Sequence, residues 1–257
     1  MRTDISEMNK TQKKVLKIAL CAAFWLGVWV ILSLIVNKSV ILPSPIATVE
    51  RLWELLGTGE FYLSCLSSLS RVFAGFVIGV ALGVLLAALS RLGAEFVISP
   101  AVSVVKATPV ASIIIVMLFF LKRDVVPVTA TALMVIPILY ANVLKGARSA
   151  DKSVSEVAEV YGFSRSKRLR YVTMPSVVPF FMAGVQSAVG LAWKAGVAAE
   201  VLCTPKTSIG SALWDSKTYL LSEDLFAWTL TVILLSIVIE RLLVLAISKL
   251  TGGRKNA

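Results

Sequence analysis

Histidine is absent from this 257-residue chain, and cysteine is scarce. Because histidine is the commonest general base and the commonest metal ligand near neutral pH, its absence makes an enzyme or a metalloprotein a less favoured interpretation. The three cysteines, Cys21, Cys65 and Cys203, are widely separated and form no metal-ligand cluster. We therefore expect this chain itself to bind no metal and no cofactor.

Sequence motifs of catalysis are also missing. No phosphate-binding loop of the GxxxxGK[ST] type occurs, and neither does HExxH, CxxC or GxSxG. The one serine–lysine pair worth testing, Ser187 and Lys194, would lie about 10 Å apart along a helix axis, too far for a nucleophile and its base. The sequence predicts a protein with no catalytic residue, one that moves something rather than changing a covalent bond.

Charged residues make up only 16% of the chain, while 57% of the residues are hydrophobic and the mean hydropathy is +0.84. Soluble domains rarely reach this apolar content, so the composition predicts a multi-pass membrane protein in contact with the lipid bilayer. The 26 Lys and Arg against 15 Asp and Glu give a net charge of +11. These cations gather in short segments between apolar runs, which favours membrane topology over nucleic-acid binding.

Six apolar runs predict an all-α membrane protein with six transmembrane helices in a single domain, residues 1–257. The predicted spans are 15–36, 70–90, 96–121, 125–144, 177–202 and 226–247. The first run is too long for the apolar region of a signal peptide, so we expect a retained helix. Between the first two spans, residues 46–56 have helical apolar spacing. They form either an interfacial amphipathic helix or a connector anchored by Trp53.

An even number of spans places both termini on one side of the membrane. The N-terminal cations, Arg91, the C-terminal tail and a basic loop at residues 146–176 all fall on that side. The positive-inside rule therefore predicts that the N- and C-termini and this loop are cytoplasmic.

Small residues recur every fourth position in the second predicted span, at Gly75, Gly79 and Gly83, and Ala87 continues the stripe. Such spacing lets another helix approach closely. The stripe predicts helix packing, either within this subunit or against a second copy.

Charged and helix-breaking residues within the spans are candidates for a translocation path or gate. They are Lys106, Thr108, Pro109, Gln186, Trp193, Lys194 and Glu200. Each lysine also has a simpler interpretation. Lys106 can extend its long stem to the headgroups, and Lys194 beside Trp193 is typical of interfacial anchoring. We expect Glu240 and Arg241, near the end of the sixth span, to neutralise each other or contact the interface.

The basic loop reads as two short helices joined at Gly162, where a left-handed backbone is expected, and Ser164 is suited to begin the second helix. Pro175 and Pro179 are expected to stop that second helix. The first helix has an apolar stripe flanked by Glu156 and Glu159. A stripe of this kind either lies on its own protein or the lipid surface, or docks into a groove on a cytosolic partner. The stripe consists of Val154, Val157, Val160 and Tyr161.

Several motifs together resemble the permeases of binding-protein-dependent ABC importers. The loop carries Glu156-Val157-Ala158, Gly162 six residues after the glutamate, Met174-Pro175, Pro179 and Gly184, which resembles the EAA loop of that family. The run GLAWKAGVAAE at 190–200 is similar to the nitrate/taurine/aliphatic-sulfonate branch. Further matches are Leu42-Pro43-Ser44-Pro45, Ser70-Arg71, Lys106-Ala107-Thr108-Pro109 and Glu240-Arg241, so the resemblance covers nearly the whole chain after residue 40.

The resemblance implies the MetI-like ABC importer permease fold and a location in the bacterial plasma membrane. It implies a homodimer, a cytosolic ATP-binding subunit that holds ATP and Mg, and an extracytoplasmic solute-binding protein. The EAA loop would contact the ATPase through Glu156, Ala158, Glu159, Tyr161, Gly162 and Phe163. Val157, Tyr161 and Phe163 are bulkier than the family pattern, which implies a partner groove fitted to them.

The resemblance also implies a small transported solute, such as a sulfonate, taurine or nitrate. A thiamine- or riboflavin-related vitamin precursor is the alternative within the same importer type. From another class, a membrane scaffold or receptor would use the loop only to recruit a cytosolic protein and would transport nothing.

Overall fold

A computed structural model describes residues 10–250, with side chains over 16–151, 154, 156–247 and 249. These residues form helices and turns, and they contain no strand. The helices are α1 (Lys10–Val36), α2 (Pro45–Leu56), α3 (Gly59–Leu89), α4 (Glu95–Ala107), α5 (Val110–Phe120), α6 (Val126–Arg148), α7 (Lys152–Val160), α8 (Arg165–Arg168), α9 (Met174–Cys203), α10 (Ile209–Thr218) and α11 (Ser222–Leu250). The predicted cytoplasmic termini, residues 1–9 and 251–257, lie outside the described residues.

The all-α membrane fold is confirmed, because five helical segments of the described chain are long and apolar enough to cross a membrane. One of them, Gly59–Ala107, is interrupted by a π-helical turn at Ser90–Ala94, in which Gly93 has a φ of 111°. Only glycine adopts that backbone readily, so the chain turns there and α3 and α4 are separate helices. The predicted third span is α4 followed by the shorter α5, and the count of six crossings stays a prediction.

The start of α3 and the segment before α11 differ most from the sequence prediction. Helix α3 begins at Gly59, well before the predicted start at residue 70, because the serines that lower the hydropathy of its first turns face protein. Ser64 and Ser68 are both buried. The mixed segment 203–225 contains a further helix, α10.

The prediction that Pro175 and Pro179 stop the second loop helix is wrong. Helix α8 continues through a π-helical turn at Leu169–Thr173 directly into α9. Pro175 directly follows the π-helical turn, where the regular helical hydrogen bonding is already interrupted and a proline is accommodated within the helical segment. Pro179 lies within α9. The second helix of the loop and the fifth predicted span therefore form one continuous helical segment.

The described chain divides into two compact units: Met1–Thr58 with Asp215–Thr231, and Gly59–Trp214 with Val232–Ala257. In the first, the Trp29 indole N–H donates to the carbonyl of Pro43 at 3.1 Å. Ser44 caps α2 by accepting from Ala47 N at 3.1 Å. Leu55 of α2 is buried, whereas Ile46, Val49 and Trp53 remain exposed, with Trp53 77% exposed.

In the second unit, α6 packs along α3 and α9. The small-residue stripe of α3 faces α6. A Cβ added at Gly75 would lie 2.7 Å from Thr131 Cβ, one at Gly79 would lie 2.7 Å from Val135 Cβ, and one at Gly83 would lie 2.7 Å from Leu139 Cβ. Real Cβ atoms do not come this close, so α3 and α6 meet at the distance that glycine permits.

Helix α9 approaches α6 in the same manner. A Cβ at Gly146 of α6 would lie 3.1 Å from Phe180 Cβ, and one at Gly184 of α9 would lie 3.0 Å from Asn142 Cβ. Gly196 sits where all three helices meet, because its added Cβ would lie 2.8 Å from Thr131 Oγ1 and would also collide with Val72. The three helices form the tightly packed frame that positions the rest of this unit.

We expect Gly79→Leu to disrupt the frame, because the new side chain would meet the backbone and Cβ of α6 rather than a movable side-chain end. The cost should be at least about 3 kcal/mol of stability, the upper end for overpacking. Thermal unfolding in detergent, followed by size-exclusion chromatography, would measure it. Gly27→Leu in α1 is the matched control, since nothing lies within 4 Å of a Cβ added there. Equal losses in the two variants would contradict the packing argument.

Candidate functional site

Helices α9 and α11 line an open pocket of about 410 Å³ that contains both charged and apolar side chains. Its residues are Gln186, Ser187, Val189, Gly190, Leu191, Lys194, Glu240 and Val244. Gln186, Gly190 and Lys194 follow each other at four-residue intervals, so they share one face of α9. The structure thus brings two of the predicted path residues, Gln186 and Lys194, to one site, and it adds Glu240 from α11.

Lys194 lies within α9 at the position that the predicted span 177–202 gives it, to within one residue. Helix α9 ends at Cys203, so Lys194 is nine residues, about 14 Å, from that end. Its neighbour Trp193 is only 1% exposed, and its indole N–H donates to the carbonyl of Val232 at 3.1 Å. Trp193 is therefore buried in protein, which removes the interfacial aromatic residue on which the anchoring interpretation depended.

Glu240 faces the pocket from α11. A Cβ added at Gly190 would lie 2.6 Å from Glu240 Oε1, so the carboxylate rests against the backbone of α9 at this glycine. Within the described chain, no ion pair to Arg241 or any other cation lies within 4.0 Å of Glu240. Glu240 and Arg241 therefore form no ion pair with each other, and the alternative, contact with the membrane interface, stays a prediction.

The remaining path candidates on α4 and α5 lie outside the pocket. Lys106 is exposed in the last turn of α4, and the helix ends at the next residue. The Thr108 hydroxyl donates to the carbonyl of Val104 at 2.7 Å, and Pro109 precedes α5. The predicted helix break is present, but Lys106, Thr108 and Pro109 do not share a cavity with Gln186 and Lys194.

Glu200 has a different environment from Lys194, although both lie on α9. Its carboxylate is fully buried and accepts from the Ser68 hydroxyl at 2.6 Å, from Gly210 N at 3.3 Å and from the Arg71 guanidinium at 3.3 Å. The Ser68 hydroxyl in turn accepts from Ile209 N at 2.9 Å. These partners satisfy the carboxylate completely, so Glu200 joins α3, α9 and the start of α10 and is not free to contact a solute.

Arg71 extends this cluster toward the surface. Its guanidinium also pairs with Asp124 at 2.9 Å and donates to the carbonyls of Lys206 and Thr207 at 3.0 and 3.2 Å. Thr207 has a φ of 51°, a backbone that a β-branched residue adopts only when its surroundings enforce it. Arg71 therefore fixes the strained loop between α9 and α10.

The loop at 146–176 has the backbone that the sequence predicts at Gly162. This residue has a φ of 59°, and its N–H donates to the carbonyl of Glu159 at 3.0 Å. Phe163 N donates to the carbonyl of Ala158 at 2.9 Å. The two hydrogen bonds form a Schellman motif that ends α7. This motif requires a residue that adopts a left-handed backbone conformation at little energetic cost. Ser164 then caps α8 by accepting from Lys167 N at 3.4 Å.

Exposure divides the loop residues into two groups. Ala158 is buried, and the Phe163 ring packs edge-on against Tyr171 with 6.4 Å between ring centres. Ala158 stabilises the loop internally, whereas Phe163 combines its contact with Tyr171 with 37% exposure. Val160 and Tyr161 are 85% and 76% exposed, and Glu156 and Glu159 are exposed beside them. The surface available to another molecule is therefore the tip of α7.

Sequence reasoning missed the roles of Glu240 and Arg71. A charge within the sixth apolar run was the signal for Glu240, but its neighbour Arg241 offered a simpler explanation. An arginine within the second apolar run was the signal for Arg71. The partners of both residues lie more than 45 positions away along the chain, so no local pattern identifies them.

The chain is similar to a known protein family and to several permeases over most of its length. Residues 79–251 match the family described as "Binding-protein-dependent transport system inner membrane component". A probable ABC transporter permease protein of Brucella abortus (strain 2308) is 29% identical over 242 residues, covering 91% of this chain and 94% of the relative. The putative aliphatic sulfonates transport permease protein SsuC of Bacillus subtilis (strain 168) is 26% identical, covering 81% and 76%.

The nitrate import permease protein NrtB of Synechococcus elongatus is 27% identical, covering 81% of this chain and 78% of the relative. Among solved structures, a chain from "Crystal structure of an amino acid ABC transporter with histidines" superposes with a TM-score of 0.59 at 18% identity. The match covers 70% of this chain and 89% of that one. At this identity the likeness shows the fold alone.

The two carboxylates paired with Arg71 should differ in their effect on stability. Glu200→Ala leaves buried donors without an acceptor and should cost about 3 kcal/mol or more. Asp124→Ala removes a partner whose side chain is 61% exposed and should cost under about 1 kcal/mol. Denaturant unfolding in mixed micelles compares them, and similar losses would contradict the assignment of Glu200 as the centre of the cluster.

Proposed function

Because this chain belongs to the family of binding-protein-dependent transport system inner membrane components, we propose that its α7 tip couples a separate ATPase to a solute path lined by the α9–α11 pocket. The chain is a permease subunit in the nitrate/sulfonate/bicarbonate branch of ABC importers, and it is a multi-pass protein of the bacterial inner membrane. The coupling, the path and the solute are the proposed parts.

The pair of charged residues in the α9–α11 pocket is the observation that carries the proposed path. Lys194 and Glu240 lie within long apolar helices, and both side chains are exposed on the surface of the described chain. A charge facing hydrocarbon is costly, so charged residues inside membrane helices normally face a water-filled cavity or another protein surface. A path formed between two copies of this chain supplies such an environment, which supports a homodimer.

The loop supports coupling to an ATPase through its shape and continuity. Its exposed tip presents Val160 and Tyr161 beside two exposed glutamates, a surface suited to a groove on a partner. Since α8, the π-helical turn and α9 are continuous, a displacement of the loop is carried into the helix that bears Lys194. ATP-driven closure of two cytosolic ATPases would thereby switch the path between outward and inward access. ATP and Mg belong to those partners, and an extracytoplasmic binding protein delivers the solute.

The proposed solute is small and carries an anionic group. The relatives are named for aliphatic sulfonates, nitrate and bicarbonate, and Lys194 supplies a cation inside the pocket. In this arrangement the six crossings place both termini and the loop in the cytoplasm, as the charge distribution indicates.

Replacing Gly162 tests the coupling. Gly162→Val strains the left-handed turn and displaces the α7 tip, while nothing lies within 4 Å of the new Cβ. We expect ATP-dependent uptake to fall at least tenfold while the subunit remains in the membrane. Glu156→Lys should act in the same direction. Uptake into proteoliposomes that contain the complete importer measures both.

Gly59→Val is the matched control, since its added Cβ also meets nothing within 4 Å and its φ is not positive. It should retain uptake. A scaffold that transports nothing would show no uptake in any variant, including the unaltered chain. ATP hydrolysis by the purified chain alone would also contradict the proposal.

The cognate solute-binding protein tests the solute class. In thermal-shift assays we expect stabilisation by a sulfonate or another small anion, because ligand binding to the folded state raises its melting temperature. Nitrate, a set of sulfonates, thiamine and riboflavin precursors form the panel. Stabilisation by a vitamin precursor alone would contradict the anion assignment.

A further inference from the structure

Four exposed cations follow the turn at Gly162, and no acidic residue stands near them in the sequence. The cations are Arg165, Lys167, Arg168 and Arg170. Positions 160–199 contain no Asp and no Glu. Among the side chains that the structure describes, no carboxylate lies within 4.0 Å of any of the four. The segment therefore carries a local positive charge that the described chain does not compensate.

Two of these cations share one side of the helical segment with an exposed apolar residue. Lys167 and Arg170 are three residues apart, and Met174 follows Arg170 by four, so the three lie along one side. Val172, in contrast, is only 4% exposed. A step of two residues turns a helix by roughly half a turn, so Arg170 points away from the protein that covers Val172. We call Lys167, Arg170 and Met174, which is 52% exposed, the basic face.

The basic face lies close to the level at which α9 enters its apolar span. A Cβ added at Gly146, near the end of α6, would lie 3.0 Å from Val177 Cα, and the Lys145 ammonium lies 5.7 Å from the centre of the Phe180 ring. The end of α6 thus meets α9 where the predicted span begins. Arg170 precedes Val177 by seven residues, about 10 Å along the helix axis. Lipid headgroups extend about 5–8 Å beyond the hydrocarbon core, so the long Arg170 side chain can reach them.

Arg170 also contacts the aromatic pair beside α7. Its guanidinium lies 5.8 Å from the centre of the Tyr171 ring. Phe163 packs edge-on against the same ring, and it directly follows the Gly162 turn that ends α7. A molecule bound at Arg170 is therefore separated by a single aromatic ring from the turn that positions the α7 tip.

We infer that the basic face binds the headgroups of anionic phospholipids in the cytoplasmic leaflet and thereby holds α8 and the α7 turn at the membrane surface. Clusters of Lys and Arg directly cytoplasmic of a membrane helix are attracted to the negative charge of that leaflet. Guanidinium and ammonium groups donate strong hydrogen bonds to phosphate, and Met174 is suited to the apolar side of the headgroups. A groove on the ATPase fits less well, because this face adjoins the membrane end of α9 and the exposed α7 tip lies beyond Gly162. The inference goes beyond the proposed coupling and rests on the cytoplasmic placement of the loop.

Competition between two lipids tests the inference. The assembled permease–ATPase complex is purified in detergent and supplied with equal amounts of phosphatidylglycerol and phosphatidylcholine, and native mass spectrometry counts the lipids that it retains. We expect the unaltered complex to retain phosphatidylglycerol preferentially. Lys167→Gln/Arg170→Gln should lower this preference at least fivefold, because a single cation near an anionic surface contributes about fivefold to its attraction.

Two matched variants separate this face from the net charge of the chain. Lys167→Arg/Arg170→Lys keeps both charges and should keep the lipid preference. Lys38→Gln/Lys122→Gln removes the same charge from exposed positions outside the cluster and should keep it as well. ATP-dependent uptake in proteoliposomes is the second measurement. Uptake by the unaltered importer should increase when phosphatidylglycerol is added to phosphatidylcholine, and Lys167→Gln/Arg170→Gln should abolish that increase.

Equal retention of the two lipids by the unaltered complex would overturn the inference, and so would an unchanged preference in Lys167→Gln/Arg170→Gln. Loss of the ATPase from that variant in nanodiscs of phosphatidylcholine alone would assign the face to the ATPase instead. Displacement of phosphatidylglycerol by inorganic phosphate, but not by sodium chloride of equal ionic strength, would assign it to a soluble anion. Uptake that is lost in Gly162→Val would leave the proposed coupling intact in each case, so the two proposals fail separately.

Discussion

The close approach of α3, α6 and α9 is the constraint on which the larger structural unit depends. Glycines at Gly75, Gly79 and Gly83 of α3, together with Gly196 of α9, remove the side chains that would hold the helices apart. Hydrocarbon offers no hydrophobic force between helices, so dispersion contacts at this short distance supply much of the stabilisation. The frame determines which face of α9 packs against α3 and α6. The opposite face, which carries Gln186 and Lys194, therefore points away from the frame.

One helix carries charged residues in two contrasting environments. Glu200 lies in the frame and is satisfied by Ser68, Arg71 and the backbone of Gly210. Lys194, less than two turns away, lines a pocket with Glu240 and has no ion-pair partner among the described residues. A buried carboxylate that accepts several hydrogen bonds stabilises the contact between its helices. An unpaired charge inside a membrane helix instead indicates a binding site for a solute or for another protein surface. The first assignment is structural and the second concerns transport.

The second helix of the loop, α8, continues directly into α9, which carries the pocket residues Gln186 and Lys194. Pro175 falls in the first turn of α9 and does not interrupt the path from α8 to Lys194. The Schellman turn at Gly162 and the packing of Phe163 on Tyr171 hold α7 at a defined position beside that helix. On the proposed mechanism, motion of the α7 tip therefore reaches the solute path through the turn at Gly162 and the continuous segment α8–α9.

The sequence by itself determined the all-α membrane class, the glycine turn at Gly162, the break at Thr108–Pro109 and the family, because these depend on composition, local backbone preference and short motifs. It placed Pro175 as a helix stop and Glu200 among the path residues, and neither assignment matches the fold. Only the tertiary structure decided which charges are paired, since Arg71 meets Glu200 and Glu240 meets Gly190 across helices distant in the chain. Helical periodicity gives the face of each residue on its own helix, but the partner opposite that face follows from how the helices pack.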